Sequence, residues 1–481
     1  MLRGTVLLLI GVMALGVSAS AYKNPLPVES EGIGAGIADP GLLRWMGKYY
    51  LYATKVKEDP GMRCWESDDL VNWKYQGLCI GDDPVFADGH GWSPGPFYYN
   101  GKFYLYVCGI DQKHRVFESD KPTGPFVCVN KDLIDVNSLD AVPLLDDDGQ
   151  LYLFYAGWEG VGIQYRKTSS PIKGDGRNQT LPACQFSADS DGNFWTEGPD
   201  LWKRNGVYYL TYCGNNWIKD SYQVRVAKGR SIADLKPQKS DKLIMQLTGE
   251  WVATGCNWSI RGPNLKSLWH VYHCRKSGGH VRRMCLDRLY FDKSGDLRCD
   301  GPTWTQQPNP EPPQCCESFL RSDIGPNWQI KSGEWKIGGE DRLVGCSGEI
   351  AWKCPVGANF VAEFNVKLQK SGGKARYGIA IDAECGRADI VVDAASKSIE
   401  LRSNGSPIAK GSLPQRFDLA AWHTIIIQQH NGRMQVRFDE MNKIDARIDL
   451  GSSKFSLIAD DCEAAFGWCG FSNYEKGEQS L

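Results

Sequence analysis

No apolar run beyond residue 21 approaches the length of a membrane-spanning helix, so a soluble mature chain is expected. Net charge is nearly absent too. With 55 Lys and Arg against 57 Asp and Glu, the chain stands at −2, which excludes an electrostatic grip on nucleic acid or on an anionic membrane. There is no Cys-x-x-Cys pair among the 17 cysteines, so they read as disulfide partners in an oxidising compartment rather than zinc ligands. The odd count leaves at least one thiol over. Helical periodicity is scarce. The apolar residues alternate or run in short blocks, which predicts an all-β chain.

The first residues are an exception to the missing apolar runs. Arg3, the run from Val6 to Val17 and the small residues Ala19, Ser20 and Ala21 read as an export signal over residues 1–21. A secreted, extracellular protein is therefore expected, and a monomer. Asn178, Asn257 and Asn404 open Asn-x-Ser/Thr triplets, which are glycosylation acceptors in a eukaryotic host. Aromatics make up 11% of the chain, enough for a β-rich core or a sugar-binding surface.

One strand is nearly copied along the first three hundred residues. "GKYYLYAT" starts at Gly47, "GKFYLYVCG" at Gly101, "GQLYLFYAG" at Gly149 and "GVYYLTYCG" at Gly206, with a weaker copy, "KSLWHVYHC", at Lys266. A period near 50 residues, built of strands and turns, predicts a five-bladed β-propeller over residues 30–305. Just upstream of the copies, Asp39-Pro40 lies eight residues before Gly47, Asp140 nine before Gly149, and Glu197 nine before Gly206. The same slot holds Ser93-Pro94 in the second copy and Gly255-Cys256-Asn257 in the fifth. Equivalent positions of successive blades converge on the propeller axis, so the register predicts three acids meeting at one end of the channel. The plain alternative is that each is an ordinary turn acid. Asp146, Asp147 and Asp148, directly before Gly149, are read as solvated turn residues of that kind.

Carboxylates forced together cannot all stay ionised, and an acid that keeps its proton opposite an ionised base is the equipment for glycoside hydrolysis. "GIADPGLLRWMGKYYLYAT", "GWSPGPFYYNGKFYLYV", "SLDAVPLLDDDGQLYLFYAG", "WTEGPDLWKRNGVYYLTYCG" and "SDDLVNW" resemble glycoside hydrolase family 43. That family consists of five-bladed propeller enzymes cleaving arabinose- and xylose-containing glycans with inversion. The resemblance implies Asp39 as general base, Asp140 as the residue that orients and tunes the acid, and Glu197 as general acid. It implies an α-L-arabinofuranosidase or β-xylosidase acting on a polysaccharide or oligosaccharide. Its alternatives are a carbohydrate-binding propeller without catalysis, or a related enzyme acting on fructosides or galactans. Many members carry a Gly-His pair in the fifth blade, often near a calcium. Here Cys256 follows Gly255, so no metal and no other cofactor is expected. Trp92, Trp158 and Trp195 are candidates for stacking on sugar, and Arg282 and Arg283 for reaching a substrate hydroxyl.

Three other patterns carry no chemistry. Gly91-Trp92-Ser93-Pro94-Gly95 matches the serine-hydrolase elbow in letters, but Pro94 has no N–H to offer an oxyanion. His270 and His273, three apart in a strand, point to opposite faces and cannot chelate together. The glycines of "GIGAGIADPG" have no strand before and no helix after them, so they form an entry loop rather than a phosphate cradle. A Pro-rich linker over residues 306–316 then leads to alternating strands such as "NFVAEFNVKLQ", with Phe360, Ala362, Phe364, Val366 and Leu368 on one face. Residues 317–481 are expected to form a two-sheet sandwich. "NWQIKSGEWKIGG" and "AWHTIIIQQHNGRMQVRFDE" resemble concanavalin-like or laminin-G-like jelly rolls. A brace on the propeller is the expected role, ahead of an independent glycan-binding module.

Overall fold

The computed structural model describes residues 20–32, 34–86, 88–158, 162–186, 195–339 and 342–481. The expected export signal lies outside the described residues up to residue 19. Five four-stranded antiparallel sheets follow one another over residues 41–80, 92–130, 138–180, 197–245 and 251–299. Their innermost strands, Gly41–Trp45, Trp92–Tyr99, Ser138–Leu145, Glu197–Arg204 and Trp251–Arg261, touch in order around a ring, and blade five meets blade one. The chain is a five-bladed propeller. The copied strand is the second of each blade, packed between neighbouring blades on both faces. That is why Tyr49, Tyr50, Leu51 and Tyr52 are all buried instead of alternating.

The turn before each copy explains its glycine. Met46-Gly47, Asn100-Gly101 and Asn205-Gly206 all have positive φ at both residues, the two-residue turn whose twist suits a hairpin. Blade three uses a longer turn, from Asp146 to Gly149, and so gains one residue. Closure is by backbone: the Ile37 N–H donates to the Arg282 carbonyl at 3.0 Å. The segment after the expected export signal is tied down as well. Ala21–Tyr22 pairs with Gln307–Pro308, and Asn24 brackets the Leu286 peptide from both sides.

Beyond the propeller lies a second all-β body, an 11-strand antiparallel system consistent with a sandwich. Two long strands, Phe360–Ala383 and Ser453–Asn473, run through it side by side, and Phe360, Phe364, Phe455 and Phe471 meet edge-on in its core. Val361, Glu363 and Asn365, on the other face of the first strand, are buried too. The propeller covers them. The sandwich sits under the turns of the inner hairpins: the Trp468 ring lies where a side chain on Gly47 would go, and the Tyr98 hydroxyl donates to the Trp422 carbonyl at 2.8 Å. Arg44 of blade one pairs with Glu363.

Two expectations need correction. Asp146 and Asp147 are not solvated turn acids. Both pair with Lys203, Asp146 accepts the Tyr208 hydroxyl, and Asp147 accepts the backbone N–H of Asn442 from the sandwich. The cysteines do not form a disulfide framework either. One bridge, Cys315–Cys354, is present, and the other fifteen thiols are free. Ten of them are buried, chiefly within strands, where a cysteine serves as a small apolar side chain. Asn257 is also buried, donating to Thr211 and facing Cys213, so it is no glycosylation acceptor in the folded chain.

Candidate active site

Four of the five inner strands begin with the same irregularity. In blades two to five the pairing with the second strand slips across a bulge, Trp92/Gly95, Leu139/Val142, Glu197/Asp200 and Gly255/Trp258. The residue entering each bulge has positive φ: Ser93, Asp140, Gly198 and Cys256, with Asp39 in the matching place before blade one. A bulge re-aims a side chain and frees a backbone amide, which must find a partner. These five residues, with neighbours such as Pro40, Pro94 and Pro199, line a narrow axial cavity of about 20 Å³, room for about one water. The register differs here from the sequence expectation in one respect. Glu197 is not the equivalent of Asp39 and Asp140; Gly198 is. Glu197 stands one residue earlier, in the place held by Trp92 in blade two.

The freed amides are capped, each by a side chain of the preceding blade. The Asp39 N–H donates to His273 Nδ1 of blade five at 3.2 Å, the Ser93 N–H to Thr54 Oγ1 at 2.9 Å, and the Gly198 N–H to Asp140 Oδ2 at 2.8 Å. In blade three the capped amide is that of Ala141, which donates to His114 Nε2 at 3.0 Å; in blade five the Cys256 N–H donates to Cys213 Sγ at 2.9 Å. His114 and His273 are both held neutral by burial, His114 lowered to about 3 and His273 to about 4. The backbone at each acid is thus fixed by its neighbour blade.

The three acids are all close to fully buried, yet they are driven apart electrostatically. Burial opposes ionisation of Asp39, but the Arg282 guanidinium at 2.8 Å and the Thr54 hydroxyl at 2.5 Å outweigh it and hold the carboxyl well below the usual range. For Asp140, burial and then the Asp39 charge push the carboxyl up to about 6. Glu197 is pushed furthest, to about 8, by burial and then by the charge of Asp140. The Tyr222 hydroxyl, 2.7 Å from Oε1, and the Trp195 indole N–H, 2.5 Å from Oε2, work in the opposite direction. At neutral pH the site therefore holds Asp39 and Asp140 ionised and Glu197 protonated.

The other candidate residues divide. Trp195 touches Glu197, and Trp158 meets Trp195 edge-on with centroids 5.2 Å apart. Trp92, half-buried, is flanked by His90. Arg282 is buried and paired with Asp39, whereas Arg283, next in the strand, turns to the opposite face and pairs with Glu31. Tyr222, Thr54 and His114 escaped the sequence reading, and His273 was set aside there as carrying no chemistry. Thr54, Cys213 and His273 had a signal, since each is the eighth residue of its strand copy. Tyr222 had a fainter one in Gly255: a Cβ there would meet the Tyr222 ring at 2.2 Å, so the glycine makes room for the hydroxyl's approach to Glu197. Where the resemblance places a channel histidine, Cys256 offers a thiol beside that of Cys213, a soft donor unsuited to a hard cation. Among the described residues no three His, Cys, Asp or Glu side chains converge as a ligand set.

Known glycosidases are similar to this chain in sequence and in fold. The chain is 24% identical over 291 residues to a β-D-galactofuranosidase of Aspergillus niger, covering 54% of this chain and 81% of that one. It is 26% identical over 308 residues to an extracellular exo-α-(1→5)-L-arabinofuranosidase of Cellvibrio japonicus, covering 54% and 85%. The family 43 protein BlXynB of Bacillus licheniformis matches in fold, with TM-score 0.51 and 17% identity over 95% of this chain and all of that one. The model of the glycosyl hydrolases of family 43 matches residues 33–297, more than half of the chain, and the protein belongs to that family of glycoside hydrolases.

Proposed function

We propose that the protein is a secreted, inverting glycosidase that releases arabinose or xylose from glycans, as an α-L-arabinofuranosidase or a β-xylosidase. The observation that carries this reading is the opposite displacement of two buried carboxyls, Asp39 held ionised and Glu197 held protonated. Glu197 gives its proton to the leaving oxygen while Asp39 takes one from the attacking water, whose oxygen bonds to the anomeric carbon from the other side. Asp140 binds the amide that follows Glu197, and its charge keeps the Glu197 proton in place. Each turnover leaves Asp39 protonated and Glu197 ionised, so one proton must return before the next. A water-sized gap between the carboxyls, roughly 6.5–9.5 Å, goes with inversion. Two relatives named as furanosidases favour the five-membered-ring substrate. In this reading the sandwich, seated at the far end of the inner strands, braces the propeller rather than binding glycan.

The test is a screen on 4-nitrophenyl α-L-arabinofuranoside, β-D-xylopyranoside and β-D-galactofuranoside, with the first-formed anomer followed by NMR. Turnover with inversion on a pentoside is expected, and Glu197→Gln is expected to abolish release from unactivated leaving groups while the fold persists. Binding without turnover would make the protein a lectin. A retained anomer would overturn the mechanism.

A further inference from the structure

The loop over residues 215–222 leaves blade four between Val207–Gly214 and Gln223–Gly229 and reaches across to blade five. It is pinned there. The buried Arg275 donates to the carbonyls of Trp217 at 3.2 Å and Ile218 at 2.6 Å and to Asp220 Oδ1 at 2.8 Å, while the Ser277 hydroxyl reaches Asp220 Oδ2 at 3.0 Å. Two side chains of this short loop reach the groups around the acids. Tyr222 binds Glu197, and the Trp217 ring lies against Arg282, its centroid 4.6 Å from the guanidinium carbon. His280 closes the edge of the indole. Among the described residues the buried Arg282 Nε has no hydrogen-bond partner, and the guanidinium lies between the indole and Asp39.

We propose that Trp217 is a positioning residue: its indole holds the Arg282 guanidinium against Asp39, and the Arg275–Asp220 contact sets the indole. The inference rests on the reading of Asp39 as the base. Aromatic faces attract guanidinium ions most where water is excluded, and a long arginine released from such a face regains its rotamers. Asp39 also faces His273 and Cys256 of blade five, Thr54 of blade one and Asp140 of blade three, with Glu197 beyond. Among these, Arg282 is the one permanent cation. Loosening it leaves Asp39 among other acids and makes its carboxyl harder to ionise.

The experiment measures kcat and KM against pH for the full chain and for Trp217→Leu and Trp217→Phe, on the best aryl pentoside. Trp217→Leu is expected to lose about tenfold in kcat with KM changed less than about twofold, and the acid limb of kcat/KM is expected to move towards neutrality. Trp217→Phe, which keeps a ring face, is expected to recover most of the loss. An unmoved acid limb, whether kinetics are unchanged or KM alone rises, would overturn the proposal. Should Trp217→Leu fail to fold, Asp220→Ala on the exposed side of the loop is read the same way: a raised acid limb supports the proposal and an unmoved one overturns it. Asp39→Asn separates the two levels. Full activity there would remove the base assignment and the proposal together, whereas an inactive Asp39→Asn with an unmoved Trp217 variant would remove the proposal alone.

Discussion

Replacing Glu197 by Gln should make the protein more stable at the pH where it makes it inactive. Folding raises this carboxyl from its ordinary 4.5 to about 8, so the folded state binds a proton that the unfolded chain has released. The sign follows: stability is greatest below 4.5 and falls as pH rises through the window up to about 8. At pH 5 the cost is under about 1 kcal/mol, at pH 7 about 3 kcal/mol, and above pH 8 it levels near 5 kcal/mol. Glutamine has no proton to take up, and its amide repeats the contacts of the protonated acid, its carbonyl accepting the Trp195 N–H and its NH₂ donating to the Tyr222 oxygen. Urea unfolding of both proteins at pH 5, 7 and 8.5, followed by tryptophan fluorescence, checks this. A two-domain chain need not unfold in one step, so the readout is the difference in midpoint at each pH. The variant's advantage should grow with pH. A constant difference, or a variant less stable at pH 8.5 than the parent, would refute the account of why Glu197 keeps its proton.

Four further predictions follow from the structure. The pH profile of kcat/KM should fall on the alkaline side near 8 as Glu197 loses its proton. Tyr222→Phe removes a hydrogen bond that favours ionised Glu197, so it should move the alkaline limb upward; a downward shift would reverse the assigned sign. Gly255→Ala drives a methyl into the Tyr222 ring and should cost about 1–3 kcal/mol in unfolding experiments along with most of the activity. Arg44→Ala strands Glu363 at the domain interface and should cost about 3–5 kcal/mol, measured the same way, with an Arg44→Met/Glu363→Leu pair losing much less.

The propeller was legible because its second strand is written five times, with a turn glycine that survives in four of the copies. The caps were written there too. Thr54, Cys213 and His273 all stand seven residues past the start of their copies, but three different side chains doing one job do not look like a motif until the backbone amide they share is seen. Trp217 and Tyr222 were out of reach, since they stand in the loop between the second and third strands, beyond the copied strand that carries the register. The cysteines misled through their number: composition counts thiols, and only packing shows that fifteen are unbridged and ten of those are buried.

The register of Glu197 is the instructive miss. Counting back from the glycine gives nine residues for both Asp140 and Glu197, yet the longer turn of blade three accounts for one of the nine in Asp140 and for none in Glu197. Along a strand, one residue is the difference between opposite faces. Asp39, Asp140 and Gly198 accordingly line the axial cavity, and Glu197 does not. Had Glu197 occupied the bulge position, three acids would crowd a space fit for one water, with no room for a sugar between acid and base. The glycine at the bulge and the glutamate before it set the proposed proton donor back from the axis. The amide of that glycine, held by Asp140, ties the donor to the acid whose charge keeps it protonated. The offset that the repeat conceals is what the proposed inverting pair requires.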